Sequence, residues 1–430
     1  MASRVFWRRS ATAAWVYAAV VLGILGTVVA ARVLGLEEFG VYVTALAAVG
    51  FFQVLLDLTV EEPLTKFGFR YAANDEWGKF RRLFVRALQV KFAGGVLAAL
   101  ALALLAPFAD SIFGADELAV PILVGALLPL VQATENVGAT ALLLRGRYDL
   151  RGAYQAFAMA LRLAAIAIAA PYGVTETLAA MVVAQAIATV AVSAVGLAAF
   201  RRFPSAPAQP LGADRREVIS FTLQSSLGTG VVSLRTTLVP LVLGIVAGPT
   251  QVGLFRIAQT PQTGLAAASS PARLVLLTDQ TRAWEHGRRQ SVLAGVRTYT
   301  LVAGALMLLA VPVFVLAMPW LVETVFGSEY SGAVDAARIV VVAAAIQFAL
   351  GWSKSLPVTI GRPRIRIVTH GLEALVVIPL VAVLGSEWGA TGAAVAVLVA
   401  TLVFAAAWGV AIARLRVDLA AQPENGVVAS

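Results

Sequence analysis

GLEEFGVY at residues 35–42 and GPTQVGLF at 248–255 share a glycine, four residues, a second glycine, then an aliphatic and an aromatic side chain, and they stand 213 residues apart. Three more loop signatures recur around them in the same order. FGADE begins at Phe113 and FGSEY at Phe326, again 213 later; GRYDLR at Gly146 and GRPRIR at Gly361 share Gly-Arg-x-x-x-Arg at an offset of 215; YGVT at Tyr172 and WGAT at Trp388 are 216 apart. Each match alone is ordinary turn chemistry, because glycine at a turn needs no functional reason. Four matches in order, with offsets drifting only from 213 to 216, mark an internal duplication.

The material between the loops is strongly apolar. Hydrophobic residues make up 60% of the 430 positions and charged residues 13%, against about half and about a quarter in soluble domains. Stretches of about twenty apolar residues, enough to cross a ~30 Å hydrocarbon layer as helix, recur throughout. They predict six spans in the first copy, at 12–34, 41–60, 87–107, 119–143, 153–170 and 175–199, and six in the second, at 218–246, 252–277, 293–318, 333–360, 366–385 and 390–413. The first stretch is longer than a signal-peptide core and runs on into further spans, so it reads as a retained helix. An even number of spans per copy gives both copies the same orientation and a pseudo-two-fold axis along the membrane normal. The expected architecture is an all-α integral membrane protein with twelve transmembrane helices in two parallel six-helix lobes around a central cavity. Its parts are an N-lobe at 1–200, a Pro/Ala-rich cytoplasmic linker at 201–217 (RRFPSAPAQPLGADRRE), a C-lobe at 218–413 and a cytoplasmic tail at 414–430.

A net charge of +9 and a pI near 10.2 carry topological meaning in so apolar a chain and do not point to nucleic acid. Alternate connections, counted with the ends of the spans that flank them, hold 25 of the 33 basic residues, from Arg4, Arg8 and Arg9 through a group of seven that ends at Lys91 to Arg414 and Arg416, while the others carry acids such as Glu37, Asp110, Glu176, Glu329 and Glu387 and no Lys or Arg. Both termini are therefore expected in the cytoplasm. Cysteine is absent and His286 and His370 are the only histidines, so thiol chemistry is excluded and no metal site or cofactor is expected. No P-loop, HExxH, nucleophile elbow or dinucleotide fingerprint is present. The chain does not read as an enzyme.

Charge inside a span costs at least ~2.5–3.5 kcal/mol and marks a bundle interior or wet cavity. Arg273, Arg297 and Arg338 lie near span ends, where a long side chain reaches the headgroups. Arg162, Arg235 and Lys354 lie deeper, Arg256 sits one turn inside its span, and Arg32 closes the first. Arg256, Gln259, Thr260 and Thr263 fall at i, i+3, i+4 and i+7 on one helical face. Gln224 with Arg235, and Gln347 with Lys354, extend a cationic stripe through the second lobe, with interhelical bonding as the competing explanation. Asp57, Glu135 and the His370/Glu373 couple are candidates for pairing with these bases or for binding a coupling proton or cation. Pro129, Pro240, Pro261, Pro312, Pro357 and Pro379 are expected to kink spans.

The run ARVLGLEEFGVYVTALAAVGFFQVLLDLTVEEPLTKF (31–67), VGLFRIAQTPQ (252–262) and the stretch from VFGSEYSGA to GRPRIR resemble the oligosaccharide flippase (Wzx-type, polysaccharide biosynthesis protein) family. That family lies within the multidrug/oligosaccharidyl-lipid/polysaccharide exporter superfamily, and the resemblance covers nearly the whole chain. It implies a MATE/flippase-like fold working by alternating access, in a bacterial plasma membrane, on an oligosaccharide carried by an undecaprenyl-pyrophosphate-type lipid, with glycan-synthesis enzymes as further partners. It further implies that cavity bases meet the anionic carrier. Arg32 and Arg256 are the residues it singles out, followed by Lys354; with Arg235, Gln259 and Thr263 they form the candidate binding set. The alternatives are an ion-coupled multidrug/cation antiporter of the same fold, a membrane-embedded glycosyltransferase, for which no large outer loop or acidic cluster is seen, and a non-transporting component of a glycan-synthesis complex.

Overall fold

The computed structural model describes residues 2–268, 280, 283–284, 286–362 and 364–420, with side chains from residue 11 onward except 231–232, 234–235, 268, 358 and 418–420. Among the described residues the regular structure is entirely helical. The first half contains α1 (Ala2–Leu56), α2 (Glu61–Ala73), α3 (Trp77–Leu105), α4 (Ala109–Phe113), α5 (Ala119–Gly125), α6 (Leu127–Gln132), α7 (Glu135–Leu144), α8 (Tyr148–Ala169) and α9 (Val174–Phe200). The second contains α10 (Asp214–Ala247), α11 (Pro249–Ala258), α12 (Thr260–Ala268), α13 (Arg289–Val325), α14 (Val334–Ala349), α15 (Leu356–Thr359) and α16 (Arg364–Ala420).

Eight helical segments among the described residues are long and apolar enough to cross a bilayer. Two are far too long for one pass. The 46 residues of Ala11–Leu56 and the 54 of Arg364–Val417 would each extend more than twice the ~30 Å hydrocarbon thickness as straight helix. Each is interrupted at a glycine: Gly35 (φ 74°, ψ 172°) breaks α1 and Gly389 (φ 55°, ψ −131°) breaks α16. The seventh expected span falls on α10, whose first half carries Gln224, Ser225 and Ser226 and whose last turns, Thr236–Ala247, are apolar. The eighth begins as the short helices α11 and α12 and then leaves the described residues.

All four duplicated loop signatures place a glycine at positive φ in both copies. The left-handed region, open to glycine and costly for other residues, is occupied at Gly35 and Gly248, Gly114 and Gly327, Gly146 and Gly361, and Gly173 and Gly389. At the first pair the match extends to both angles, since Gly248 sits at φ 82°, ψ 167°. A fifth pair is present without a sequence signature. Asp75 (φ 56°) and Gly287 (φ 75°) precede α3 and α13, and each opens the same turn: Trp77 N–H donates to Asp75 O at 2.9 Å and Arg289 N–H to Gly287 O at 2.8 Å.

The second glycine of the G-x4-G motif has a different task. Gly40 of α1 and Gly253 of α11 meet each other between the halves: a Cβ on Gly253 would lie 3.1 Å from Gly40 Cα, and one on Gly40 would overlap the Pro249 carbonyl oxygen. The crossing sits in a core rich in small side chains, with Ala30, Ala31, Ala333, Ala336 and Ala337 buried nearby. Phe39 meets Tyr330 edge-on at 5.9 Å, and Tyr330 Oη donates to Ala31 O at 2.7 Å. Arg32 donates from Nε to Val325 O at 2.7 Å and from Nη2 to Thr324 O. It thereby caps the C-terminal carbonyls of α13, the favourable place for a cation at a helix end.

At the opposite, basic face the segment between the halves is held against the first one. Gln209 N–H donates to Gly78 O at 3.0 Å and Phe203 packs 4.9 Å from Phe80. Asp214 and Glu217, in the first turn of α10, accept from Lys79 at 3.0 Å and Arg70 at 2.8 Å. These bonds hold both carboxyls below the ordinary carboxylate range. A carboxyl whose folded value is depressed contributes fully above its unfolded value and loses that contribution as pH falls through the folded one.

G40L is expected to lower stability by about 1–3 kcal/mol through overpacking, read as thermal unfolding in detergent. G228A is the control, since a Cβ there meets nothing within 4 Å; a G40L protein as stable as wild type would refute the crossing. For the 204–210 segment, limited proteolysis should be slow at neutral pH and stay slow down to about pH 4. It should accelerate below that, and at pH 7 in D214N/E217Q; equal cleavage of variant and wild type at pH 7 would rule the clamp out.

Candidate functional site

Arg256 lines three cavities, of about 510, 390 and 220 Å³. Its position follows from two sequence features. Gly253, one turn earlier, brings α11 against α1, and Pro261, which has no N–H for the Ile257 carbonyl, separates α11 from α12 at Gln259. The guanidinium is exposed to the space between the halves.

The 510 Å³ cavity is walled by the first half and holds Gln132, Glu135, Tyr154, Arg162 and Gln185 beside Arg256 and Thr263. Arg162 also joins Arg256 in the smallest cavity. The expected fourth span is not one helix here but α5, α6 and α7, broken ahead of Pro129 and again at Ala133–Thr134. Proline at 129 removes a donor and clashes with the carbonyl one turn back, and the breaks bring Gln132 and Glu135 to the cavity wall. Glu135 accepts from Gln185 Nε2 at 2.8 Å, and Gln53 Nε2 donates to Gln132 Oε1 at 2.6 Å.

The 390 Å³ cavity is walled by the second half, with Gln259, Gln347, Lys354, His370 and Glu373 among its lining. Its broken helix is the tenth expected span, which runs as α14, the 3-10 turn Gly351–Lys354 and α15, with Pro357 at the last break. Lys354 is exposed from that turn. His370 Nδ1 lies 3.2 Å from Glu373 Oε2. Gln262 Nε2 donates to Gln347 Oε1 at 3.0 Å, joining the eighth and tenth expected spans as Gln53–Gln132 joins the second and fourth. Neither amide pair was visible in the sequence, because the partners are 79 and 85 residues apart.

The structure thus gathers Arg256, Gln259, Thr263 and Lys354 from the sequence-derived set and adds Arg162. Arg32 goes elsewhere, to the α13 carbonyls. Arg235 falls on α10, but its side chain lies outside the described residues. Glu135, His370 and Glu373 line cavities, whereas Asp57 is engaged inside the first half: Lys91 Nζ stands 2.5 Å from Asp57 Oδ2 and 3.5 Å from Glu61 Oε1. Lys91, read from sequence as part of a basic connection, is in fact a helix residue of α3 whose side chain is 4% exposed. Among the described residues no His, Asp and Glu cluster suited to a metal ion occurs.

The sequence profile of the polysaccharide biosynthesis protein family matches residues 10–271. The chain belongs to the polysaccharide biosynthesis protein family. No curated protein matches it. Its fold is shared with an inward-facing multidrug resistance MATE family transporter of the MOP superfamily (TM-score 0.68, 15% identity, covering 93% of this chain and 95% of that one). It is also similar to the lipid II flippase MurJ in an inward closed conformation (TM-score 0.71, 10% identity, 93% and 87%). A MOP superfamily transporter from Pyrococcus furiosus, described as having a binding pocket of reversed polarity, matches with TM-score 0.59 at 16% identity, over 95% of this chain and 96% of that one. The architecture of this family member is therefore the all-α, multi-pass membrane fold of the MATE and MurJ transporters, and family and fold together support a membrane transporter or flippase.

In that frame the Lys91–Asp57 pair is structural. K91M is expected to cost about 3–5 kcal/mol of stability by leaving a buried carboxylate unpaired, and D57L/K91M to recover most of it. Thermal unfolding checks both, and an unaltered K91M would sink the assignment.

Proposed function

We propose that the chain carries an oligosaccharide on a polyprenyl-pyrophosphate lipid across a bacterial plasma membrane by alternating access, with both termini cytoplasmic, for cell-surface polysaccharide synthesis. The observation that carries the reading is Arg256, the residue shared by all three cavities, with Arg162 and Lys354 on either side of it. Guanidinium groups match pyrophosphate oxygens two at a time, and an ammonium adds a movable point charge. Gln259, Thr263, Gln347 and the amides around Glu135 supply the neutral donors and acceptors that a sugar needs. In this reading Arg32 belongs to the contact that closes one face, and the cavities load from the other. The family match and the fold shared with MurJ support a lipid-linked cargo.

Glu135 and the His370/Glu373 couple stand in the same cavities as the bases, which favours a second role for them in coupling transport to a proton or cation. The alternative of a multidrug/cation antiporter would need these acids to dominate over the bases.

In proteoliposomes loaded with a fluorescent lipid-linked oligosaccharide, the wild type should transfer the glycan between leaflets. R256Q and K354Q should each slow transfer by at least about tenfold, the loss of one charge-assisted contact, with R162Q in the same class. Absence of transfer by wild type, together with export of a cationic dye that E135Q abolishes, would replace this reading with the antiporter.

A further inference from the structure

A fourth cavity, larger than those three, lies on the basic face. A trough of about 600 Å³ opens where the start of α10 and the end of the linker lie against α2 and α3. Its walls are apolar, with Leu83 buried at the back and Ile219 and Leu223 in front, 47% and 48% exposed. Three arginines line it, Arg82 and Arg86 from α3 and Arg215 from α10, and none of the described residues lining it is acidic. Arg82 and Arg86 share one face of α3 by their i, i+4 spacing. Among the described residues neither Arg82 nor Arg215 is held in an ion pair, and Arg86 donates to Gln89 at 2.9 Å.

Depth in the membrane says what meets such a trough. Along α3 the exposed apolar side chains run from Val85 through Leu88, Phe92, Leu97 and Leu100 to Leu104, and twenty helical residues span the ~30 Å of a hydrocarbon core. Arg82 and Arg86 therefore straddle the edge of that core, at the level of lipid phosphates, while Ile219 and Leu223 face the acyl chains. We propose that this trough binds an anionic phospholipid of the leaflet on the basic face, its phosphate held by Arg82, Arg86 and Arg215 and an acyl chain lying along Ile219 and Leu223. Guanidinium forks suit a phosphate diester, and the apolar floor gives the chain a surface that a free phosphate could not use. The lipid would bridge α3 to the start of α10, so it would tie the linker clamp to membrane composition, whatever the central cavities carry.

Native mass spectrometry of the protein released from nanodiscs of equal phosphatidylglycerol and phosphatidylcholine reads the site directly. Wild type should retain phosphatidylglycerol in preference, and R82Q/R86Q/R215Q should lose that preference by about fivefold per arginine. R201Q/R202Q/R414Q, with the same change of charge outside the trough, should keep it. L223W, which fills the floor and leaves the bases, should also release the lipid, and it decides the matter alone if the triple variant does not fold. Equal retention of both phospholipids by wild type, retention by both trough variants, or an isoprenoid phosphate displacing the phospholipid there would overturn the proposal. None of these outcomes depends on glycan transfer, so this site and the transport reading stand or fall separately.

Discussion

The approach of Gly40 to Gly253 is the contact on which the arrangement of the two halves rests. A motif of eight residues does two jobs in each copy: its first glycine, at 35 and 248, turns the chain back, and its second, at 40 and 253, lets the next helix meet its own duplicate at backbone distance. Because the same element from both copies meets itself, the contact is self-complementary in the way of a two-fold dimer interface, here within one chain. Side chains larger than hydrogen would hold the halves apart at this point, and the small-residue core around it follows the logic of membrane helix packing, where close approach rather than apolar burial drives association. Arg32 and Tyr330 add directed bonds on the same side, and the cavities lie beyond them.

Polar backbone in a membrane is tolerated where it faces protein or a wet cavity. Each chamber wall shows this. Pro129, Pro261 and Pro357 mark helix interruptions, and beside each stands a group that lines a cavity: Glu135, Arg256 with Gln259, and Lys354. Discontinuous helices near the midplane are the usual transporter means of presenting polar groups to cargo. Two other in-membrane cations are partnered within the helix packing. Lys91 is neutralised by Asp57 and Glu61, and Arg32 is bound by carbonyl oxygens, whereas Arg256, Arg162 and Lys354 line the cavities.

Much of this was legible in the sequence because glycine turns leave a mark that survives duplication. All four repeated signatures proved to place a glycine at positive φ, and Arg256, Gln259 and Thr263 share a face as their spacing required. What was hidden has physical causes. The fifth repeated turn has Asp75 in one copy and Gly287 in the other, so the conformation is kept where the residue is not; aspartate is among the few side chains that tolerate that region. Lys91 looked like a loop cation because composition gives no depth. Arg32 looked like a cavity base because its partners are backbone carbonyls almost three hundred residues away, which carry no sequence signature. The twelve-helix expectation met eight long apolar segments among the described residues, because glycine joins two pairs of passes into single helices and the seventh and eighth expected spans run partly outside what is described.

Symmetry of backbone and asymmetry of chemistry coexist at the centre. The offset of 213 that superposes the G-x4-G motifs places Val43 opposite Arg256, and both line the smallest cavity. One copy thus presents an isopropyl group where the other presents a guanidinium. The same contrast runs outward, with Gln132, Glu135 and Gln185 on one side and Gln347, Lys354, His370 and Glu373 on the other. Duplicated turns need the same glycines in both copies to preserve the crossing, whereas nothing in the crossing constrains the side chains one turn beyond it. The duplication therefore fixed a hinge-like frame and left the cavity walls free to diverge, and a cavity with a charged patch off its axis suits a cargo whose charge is concentrated at one end.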